Sequence, residues 1–356
     1  MLGSGVVTGL TTPHGPSRYL AAINPLWSLE GGRAVVTDVT PETPDTVTLT
    51  LRPDHRWQGS SAGQHVRLGI EIDGVLHTRT YSVSSSAHRA DGQFTITVKR
   101  KEGGFVSGHL TRRVAPGDVL ACSEATGDVV LPEPRPDRLL LLSGGSGITP
   151  MASMLRTLAD EGHPGRVTFL HYARTEDDVA FAEDLDRLAD RLPDAEVVVV
   201  TTSAGASGPL TGRFSPSHLD ELVPDHLDVP AFACGPSGLV DAVEDHYRAN
   251  GADARLQVER FTPPPLQATA GPGDGRLTFA ASGLERDDDG RTLLEQAEDE
   301  GLTPEFGCRM GICHTCTRHK ESGSTIDLRN GRRSDRPDEN VQVCVSVAAG
   351  DVVMDL

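Results

Sequence analysis

The sequence predicts a three-domain protein: an all-β domain, then an α/β domain with a parallel sheet, then a small α+β domain. Three observations carry that reading. Across residues 33–131, short segments alternate apolar and polar residues, the period of half-buried strands, with turn residues between them. After Pro132, Pro134 and Pro136 the texture changes to continuous apolar runs that alternate with helical stretches. Past a second break rich in proline and glycine, four of the six cysteines fall in the last 49 residues. At 356 residues the chain is also too long for one ordinary core.

Residues 1–30 mix Gly, Pro and Thr around the apolar patch Ile23-Asn24-Pro25-Leu26-Trp27 and read as an N-terminal extension, with Leu26 and Trp27 packing on the first domain. Residues 31–135 form the all-β domain, a sandwich or barrel. Segments 46–51 and 94–98 alternate cleanly, and Arg52-Pro53-Asp54, Asp73-Gly74, Asp91-Gly92 and Pro116-Gly117-Asp118 supply turns. In residues 136–262, segments 138–142, 167–172, 196–201 and 231–234 read as buried strands. Segments 150–160, 179–192 and 239–250 read as helices, so the sheet is parallel with helices on both faces. Residues 263–275, with Pro263-Pro264-Pro265 and Gly271-Pro272-Gly273, are a linker, stiff at one end and flexible at the other. Residues 276–356 hold a strand, a helix near 291–300, a long cysteine-bearing loop and a closing strand.

A composition of 37% hydrophobic and 24% charged residues excludes a disordered or fibrous chain. The formal charge of −18 argues against nucleic acid as the main partner, because phosphate contacts need Lys and Arg. It favours a soluble cytoplasmic protein that docks to a basic partner face. No apolar run reaches the roughly 18 residues of a spanning helix. The uncharged run 139–155 is broken by Gly144, Gly145, Gly147 and Pro150, and residues 1–30 lack the pattern of a signal peptide.

The cysteines are spaced Cys308-x4-Cys313-x2-Cys316-x27-Cys344. Three thiolates on one loop and a fourth on a distant strand can surround one inorganic centre, and this run is that of proteins holding a [2Fe–2S] cluster. Structural zinc is the alternative, but zinc modules pair their ligands as two short knuckles and only one is present. Gly307, Gly311 and Gly323 let backbone approach sulfur closely, where amides tune the potential. His314, between two ligands, reads as an exposed loop residue. The whole segment 276–356 resembles a plant-type ferredoxin domain, which implies a β-grasp fold with Cys308, Cys313, Cys316 and Cys344 as iron ligands.

Two further strings precede it. Arg79-Thr80-Tyr81-Ser82 offers a fixed cationic fork and a stacking ring, and Gly103-Gly104-Phe105-Val106-Ser107 offers amides and a hydroxyl for phosphate. In this order on a β-rich domain they resemble the R-x-Y-S and G-x-x-S motifs of the ferredoxin–NADP⁺ reductase superfamily. The resemblance implies an antiparallel β-barrel that binds FAD. Arg79 would meet phosphate, Tyr81 would pack on the isoalloxazine and Ser82 would lie near flavin N5; Lys99, Gly104, Val106 and Ser107 would line the rest.

The run Gly144-Gly145-Ser146-Gly147-Ile148-Thr149-Pro150 follows a strand and opens a helix, where free amides receive phosphate. It matches the G-G-x-G-I-T-P string of the same superfamily, whose C-G-P string appears at Cys234-Gly235-Pro236. By that resemblance Gly144, Gly145, Gly147, Thr149, Gly235 and Pro236 hold the dinucleotide and Cys234 sits beside the nicotinamide, although a buried strand-end cysteine needs no such role. Phe261, in Glu259-Arg260-Phe261, would cover the flavin or simply fill the core. Arg174 and Arg213 resemble 2′-phosphate-binding positions and favour NADPH over NADH. Thr202-Ser203-Ala204 stands where many of these enzymes carry Ser-Arg, so one expected cation is missing.

Together these parts define a route from NADPH through FAD and the cluster to a partner protein, with Tyr81, Ser82 and Cys234 nearest the hydride. The arrangement resembles the reductase components of bacterial oxygenases and desaturases. The strings Asn24-Pro25-Leu26-Trp27 and Gly69-Ile70-Glu71-Ile72-Asp73-Gly74-Val75-Leu76-His77-Thr78-Arg79 are similar to those of reductases serving membrane stearoyl-CoA Δ9-desaturases, which implies a membrane di-iron desaturase as acceptor. A Rieske-type or ring-hydroxylating oxygenase, or a redox sensor with poor turnover, remain the other readings.

Overall fold

The computed structural model describes residues 23, 24, 26–28, 31–203, 210–261, 275–306, 311, 314–329 and 331–356. The chain forms two compact units, one reaching Phe261 apart from Thr78–Thr80, and one made by Thr78–Thr80 and the C-terminal residues after Phe261.

The first unit holds two sheets. Strands β1 (Arg33–Thr43), β2 (Thr46–Pro53), β3 (His65–Ile72), β4 (Val75–Ser82), β5 (Phe94–Lys99) and β6 (Val119–Cys122) pair in the order β4-β3-β6-β1-β2-β5. A bridge between Val83, just past β4, and Ile96 of β5 brings the two edges of the sheet together, the closure a barrel requires. The alternation in sequence has its cause here: Leu49, Leu51, Leu68, Phe94 and Ile96 all point into the barrel. Helix α1 (Phe105–Arg112) seals it with Val106 and Leu110. At the N-terminal side, Ser28 is tied down by Arg56, whereas Trp27, expected to pack away, stays 46% exposed.

The second sheet is parallel throughout. Its strands β7 (Arg138–Gly144), β8 (Arg166–Ala173), β9 (Ala195–Thr201), β10 (Ala231–Cys234) and β11 (Leu256–Glu259) run β11-β10-β7-β8-β9. Leu139, Leu141, Phe169 and Phe232 face helices α2 (Ile148–Glu161) and α3 (Ala182–Arg191). Leu140, Leu142, Leu170 and Ala233 face α4 (Pro216–Leu222) and α5 (Ser237–Ala249). Burial on both faces explains the unbroken apolar run of β7, each such side chain stabilising by about 1.5–3 kcal/mol.

Boundaries shift for identifiable reasons. Helix α2 begins two residues before Pro150, because a proline in the first turn lacks only an N–H that has no partner there. Helix α3 begins after Phe181, not at Val179, since Phe181 takes a left-handed φ of 63° while its ring carries the Arg156 guanidinium at 4.3 Å. Strand β11 was not expected; Gln257 and Glu259 break its apolar pattern, and it forms by pairing in register with β10.

Helix α2 is fastened to the barrel along its length. Ser153 Oγ donates to Ser85 O at 2.7 Å, Ala87 N donates to Thr157 Oγ1 at 3.0 Å, and Arg156 donates to Ser84 O. Its last residue, Glu161, takes Arg135 and His88, each at 2.7 Å. The Arg135 guanidinium, with His88 beside it, outweighs desolvation and holds Glu161 at about 2, below its ordinary 4.5. A depressed carboxylate contributes stability above its unfolded-state value and loses it as pH falls through the folded one. We expect the urea midpoint of Glu161→Gln to fall less than wild type between about pH 5 and about pH 3; parallel curves would refute this.

The second unit comprises β12 (Arg276–Phe279), β13 (Leu284–Asp287), α6 (Leu293–Asp299), β14 (Thr317–Asp327), β15 (Arg332–Ser334), β16 (Glu339–Gln342) and β17 (Ser346–Met354). The order is β13-β12-β17-β14-β15 with β16 on β14, and β12 runs parallel to β17: a β-grasp. A capping box between Thr292 and Glu295 fixes the start of α6, whose Leu293 and Ala297 pack on Leu277, Phe279 and Val352. Among the described residues no helix is long and apolar enough to cross a membrane.

Candidate functional site

Strand β4 presents Arg79 on the surface, where its Nη1 donates to Thr78 O at 2.7 Å, and packs Tyr81 on the barrel core. Ser82 Oγ and Thr80 Oγ1 are buried with no hydrogen-bond partner. Such orphaned hydroxyls cost about 1–3 kcal/mol each, a cost that a polar ligand lying on β4 relieves. Past β5, Gly103 adopts a φ of 68° and Gly104 caps α1 without a side-chain hydrogen bond, so the first amides of that helix remain for a ligand. Val106 turns its side chain into the core and can serve a ligand only through its backbone. Ser107 Oγ accepts from Lys101 N at 3.1 Å, bracing the turn. A cavity of about 870 Å³ opens here, lined by Lys99, Gly103, Gly104, Arg112 and Arg174 among others.

A second cavity of about 550 Å³ lies over the C-terminal ends of β7 and β8 and includes Gly144, Gly145, Tyr172, Arg174, Arg213 and Pro236 in its lining. Lys99 and Arg174 line both cavities, so the two adjoin. The glycine turn is shaped by close packing. A Cβ on Gly147 would overlap the Cys234 carbonyl and stand 2.6 Å from Gly235 N, and one on Gly235 would stand 3.0 Å from Gly144 N. Thr149 is buried and donates to Ser146 O at 3.1 Å, so its side chain braces the turn.

Cys234 is fully buried, and burial, with the nearby Glu259 charge, pushes its thiol well up and keeps it protonated. Glu259 stands opposite Cys234 in the β10–β11 register. Burial raises its carboxyl against the pull of His65, whose Nδ1 lies 3.6 Å from Oε1, while Oε2 has no partner. Beneath the turn, Ser143 Oγ and His171 Nδ1 are 2.7 Å apart, and full burial holds His171 neutral at about 3. Phe261 is half-buried against the core beside α2.

Sequence reasoning missed the His65–Glu259 pair, which is assembled from two sheets, and it missed Asp178. That carboxylate shares the second cavity, 3.0 Å from Arg174 and 3.7 Å from Lys99. Burial works upward on it, but hydrogen bonds from Arg174 and Thr175 and the charge of Lys99 hold it below the ordinary range. An acidic residue just after the second strand is the signal that would have found it.

In the C-terminal unit, Cys308 and Cys313 lie outside the described residues, as do Gly307 and Ile312. Cys316 and Cys344 are brought together by the pairing of Thr317 with Gln342 in β14 and β16. Their sulfurs are buried in the core and 3.1 Å apart, too far for the roughly 2.05 Å of a disulfide. Two adjacent, unbridged sulfurs fit the donor set of an iron–sulfur centre. Gly311 has a φ of 71°, and a Cβ there would meet Arg329 Nη1 at 2.8 Å and Val345 Cγ2 at 2.9 Å. Gly323, by contrast, sits at a bulge against Asp351 and Val352, so it serves the sheet and not the sulfurs. His314 is exposed with a φ of 57°.

Three family models match in series: an oxidoreductase FAD-binding domain over residues 33–130, an oxidoreductase NAD-binding domain over 141–245 and a 2Fe-2S iron-sulfur cluster binding domain over 281–349. Across 99% of its length the chain is 38% identical to an NADPH oxidoreductase of Mycobacterium tuberculosis, covering 91% of that protein. The chain belongs to the ferredoxin–NADP⁺ reductase-like oxidoreductases that carry FAD, NAD(P)H and [2Fe–2S] domains.

Within this family it is 31% identical to the glycine betaine monooxygenase reductase subunit of Chromohalobacter salexigens, over 82% of the chain and 86% of that subunit. Phthalate dioxygenase reductase, 22% identical, shares the fold with a TM-score of 0.61 over 91% of this chain and 97% of its own. As an NAD(P)H oxidoreductase, the protein joins a two-electron donor to a one-electron centre. Bound flavin supplies the chemistry that connects them, since it accepts electrons in pairs and releases them singly.

Proposed function

We propose that the protein draws hydride from NADPH and passes electrons one at a time to a membrane di-iron fatty acyl-CoA desaturase. The observation that carries the NADPH preference is that Arg174 and Arg213 line one cavity beside the glycine turn. Arg79, Tyr81 and Ser82, with Lys99, Gly104, Val106 and Ser107, hold FAD. Gly144, Gly145, Gly147, Gly235 and Pro236 receive the dinucleotide, Thr149 braces that turn, and Cys234 and Phe261 border the nicotinamide and flavin. Cys308, Cys313, Cys316 and Cys344 bind the cluster. The buried, protonated Cys234 thiol offers no base, so its part is shape: it excludes water and backs the ring.

The desaturase reading rests on the strings at Asn24–Trp27 and Gly69–Arg79, while the full-length likeness to the mycobacterial NADPH oxidoreductase supports NADPH as donor. Oxygenase delivery is the second reading, favoured by relatives named as monooxygenase reductase subunits. Reconstitution with NADPH and either a membrane Δ9-desaturase or a Rieske oxygenase separates them: acyl-CoA desaturation supports the first, and turnover with the oxygenase alone replaces it.

For the nucleotide, Arg174→Ala and Arg213→Ala should each raise the KM for NADPH about 10- to 100-fold while leaving NADH little changed, the loss expected for a charge-assisted contact. Equal losses with both nucleotides would remove the 2′-phosphate assignment. Asp178→Asn should move the preference further toward NADPH, because it removes a carboxylate from beside the same phosphate.

A further inference from the structure

In the C-terminal unit, Arg329 sits where the two cysteine-bearing segments meet. Its Nη1 donates to the carbonyl of Gly311, which lies between Cys308 and Cys313 in sequence, at 2.6 Å, and Gln342 Nε2 donates to the same oxygen at 2.9 Å. The other side of the cradle is the turn between β16 and β17, which, and not a strand as expected, carries the fourth cysteine, Cys344. Leu328 N donates to Val345 O at 2.8 Å, and the space above Gly311 is closed by Arg329 and Val345 together. The outer edge of the guanidinium is held by Asp327, with Nε at 3.0 Å and Nη2 at 2.6 Å. Hydrogen bonds to Asp327 hold the Arg329 guanidinium above its ordinary value, and Val345, the residue after Cys344, lines the same spot above Gly311 as Arg329, so the cation stands beside the turn of the fourth cysteine.

We propose that Arg329 is a potential-setting residue for the [2Fe–2S] centre: its fixed charge, anchored on Gly311 and partly offset by Asp327, raises the reduction potential of the cluster. This rests on the reading that Cys316 and Cys344 ligate that centre. Reduction adds one electron, supplied from NAD(P)H through the flavin, and no proton, so the centre gains one negative charge. A neighbouring cation stabilises that reduced state more than the oxidised one. An arginine keeps its proton at all working pH values, so the effect does not fade as pH rises. Asp327 opposes it, which gives the two residues contributions of opposite sign.

The test is a redox titration of the holoenzyme followed by the EPR signal of the reduced cluster, in wild type, Arg329→Gln, Arg329→Lys and Asp327→Asn. We expect Arg329→Gln to weaken electron uptake about tenfold, 59 mV downward for a one-electron couple. Asp327→Asn should shift the potential upward, and Arg329→Lys should stay near wild type. A mere loosening of the loop does not move the two neutral variants in opposite directions. Arg329→Gln with a full cluster and an unshifted potential overturns the proposal, as does a downward or null shift in Asp327→Asn. If Arg329→Gln cannot hold a cluster, the Asp327→Asn shift decides alone. The ligand reading has its own check: a Cys316→Ser protein with an unchanged EPR signal sinks it whatever the potentials are.

Discussion

Cys316→Ser loses the iron–sulfur bands and EPR signal, and its one-electron delivery to a protein acceptor drops by about 100-fold or more, while NADPH still bleaches its flavin. The size follows from position. Cys316 is buried, so its thiolate is not replaced by solvent or a nearby donor, and its sulfur lies 3.1 Å from that of Cys344. Loss of groups that merely support a metal ligand already costs 10- to 100-fold, and a first ligand costs more. Tyr81, Ser82, the Gly103–Ser107 turn and the nucleotide motifs lie in the other compact unit, so hydride transfer persists. Stopped-flow bleaching of flavin, measured alongside acceptor reduction, checks both halves. If flavin reduction vanishes as well, the electron order proposed here is wrong.

Gly147→Ala comes second in size and acts at the other end of the route. The added methyl overlaps the carbonyl of Cys234, and backbone cannot yield as a flexible side chain does. Overpacking of this kind costs about 1–3 kcal/mol, and relief comes only by moving the glycine turn off β10. The nucleotide should bind at least about tenfold more weakly, with Tm lowered and FAD content retained. Gly145→Ala is the control. Gly145 has a φ of 52° but open space around its Cβ position, so alanine there carries only backbone strain of about 1–2 kcal/mol. Should both variants bind NADPH equally well, close packing of Gly147 on Cys234 is not what shapes the site.

The sheets and most helices were legible because their signals are local. β7 is an apolar run buried on both faces, and β2 and β5 alternate because Leu49, Leu51, Phe94 and Ile96 face the barrel core while threonines such as Thr48 and Thr97 hydrogen-bond each other on the opposite face. The cysteine spacing named a centre without showing how Cys344 returns to Cys316; that depends on the β14–β16 register, across largely polar strands whose pattern does not specify it. Likewise His65 and Glu259 come from different sheets, and neither neighbourhood hints at the other. Nothing in the sequence singles out Arg329, because Asp327, two residues away, accounts for it as a local ion pair. In each case the missing information was a long-range register or a third partner.

The fastening of α2 has a consequence for how such enzymes can be recombined. One end of this helix grows out of the turn at Gly147, and its middle and far end are bolted to Ser84, Ser85, Ala87 and His88 of the barrel. A chimera joined near residue 136, where the chain visibly passes from one sheet to the next, would pair a helix from one parent with a docking segment from another. Recipient barrels lacking acceptors for Ser153 and Arg156 and a donor for Glu161 would then hold the dinucleotide turn at a foreign angle. Exchanging nucleotide preference between relatives therefore calls for the 83–88 segment to travel with the donor helix, a two-piece graft and not a single splice.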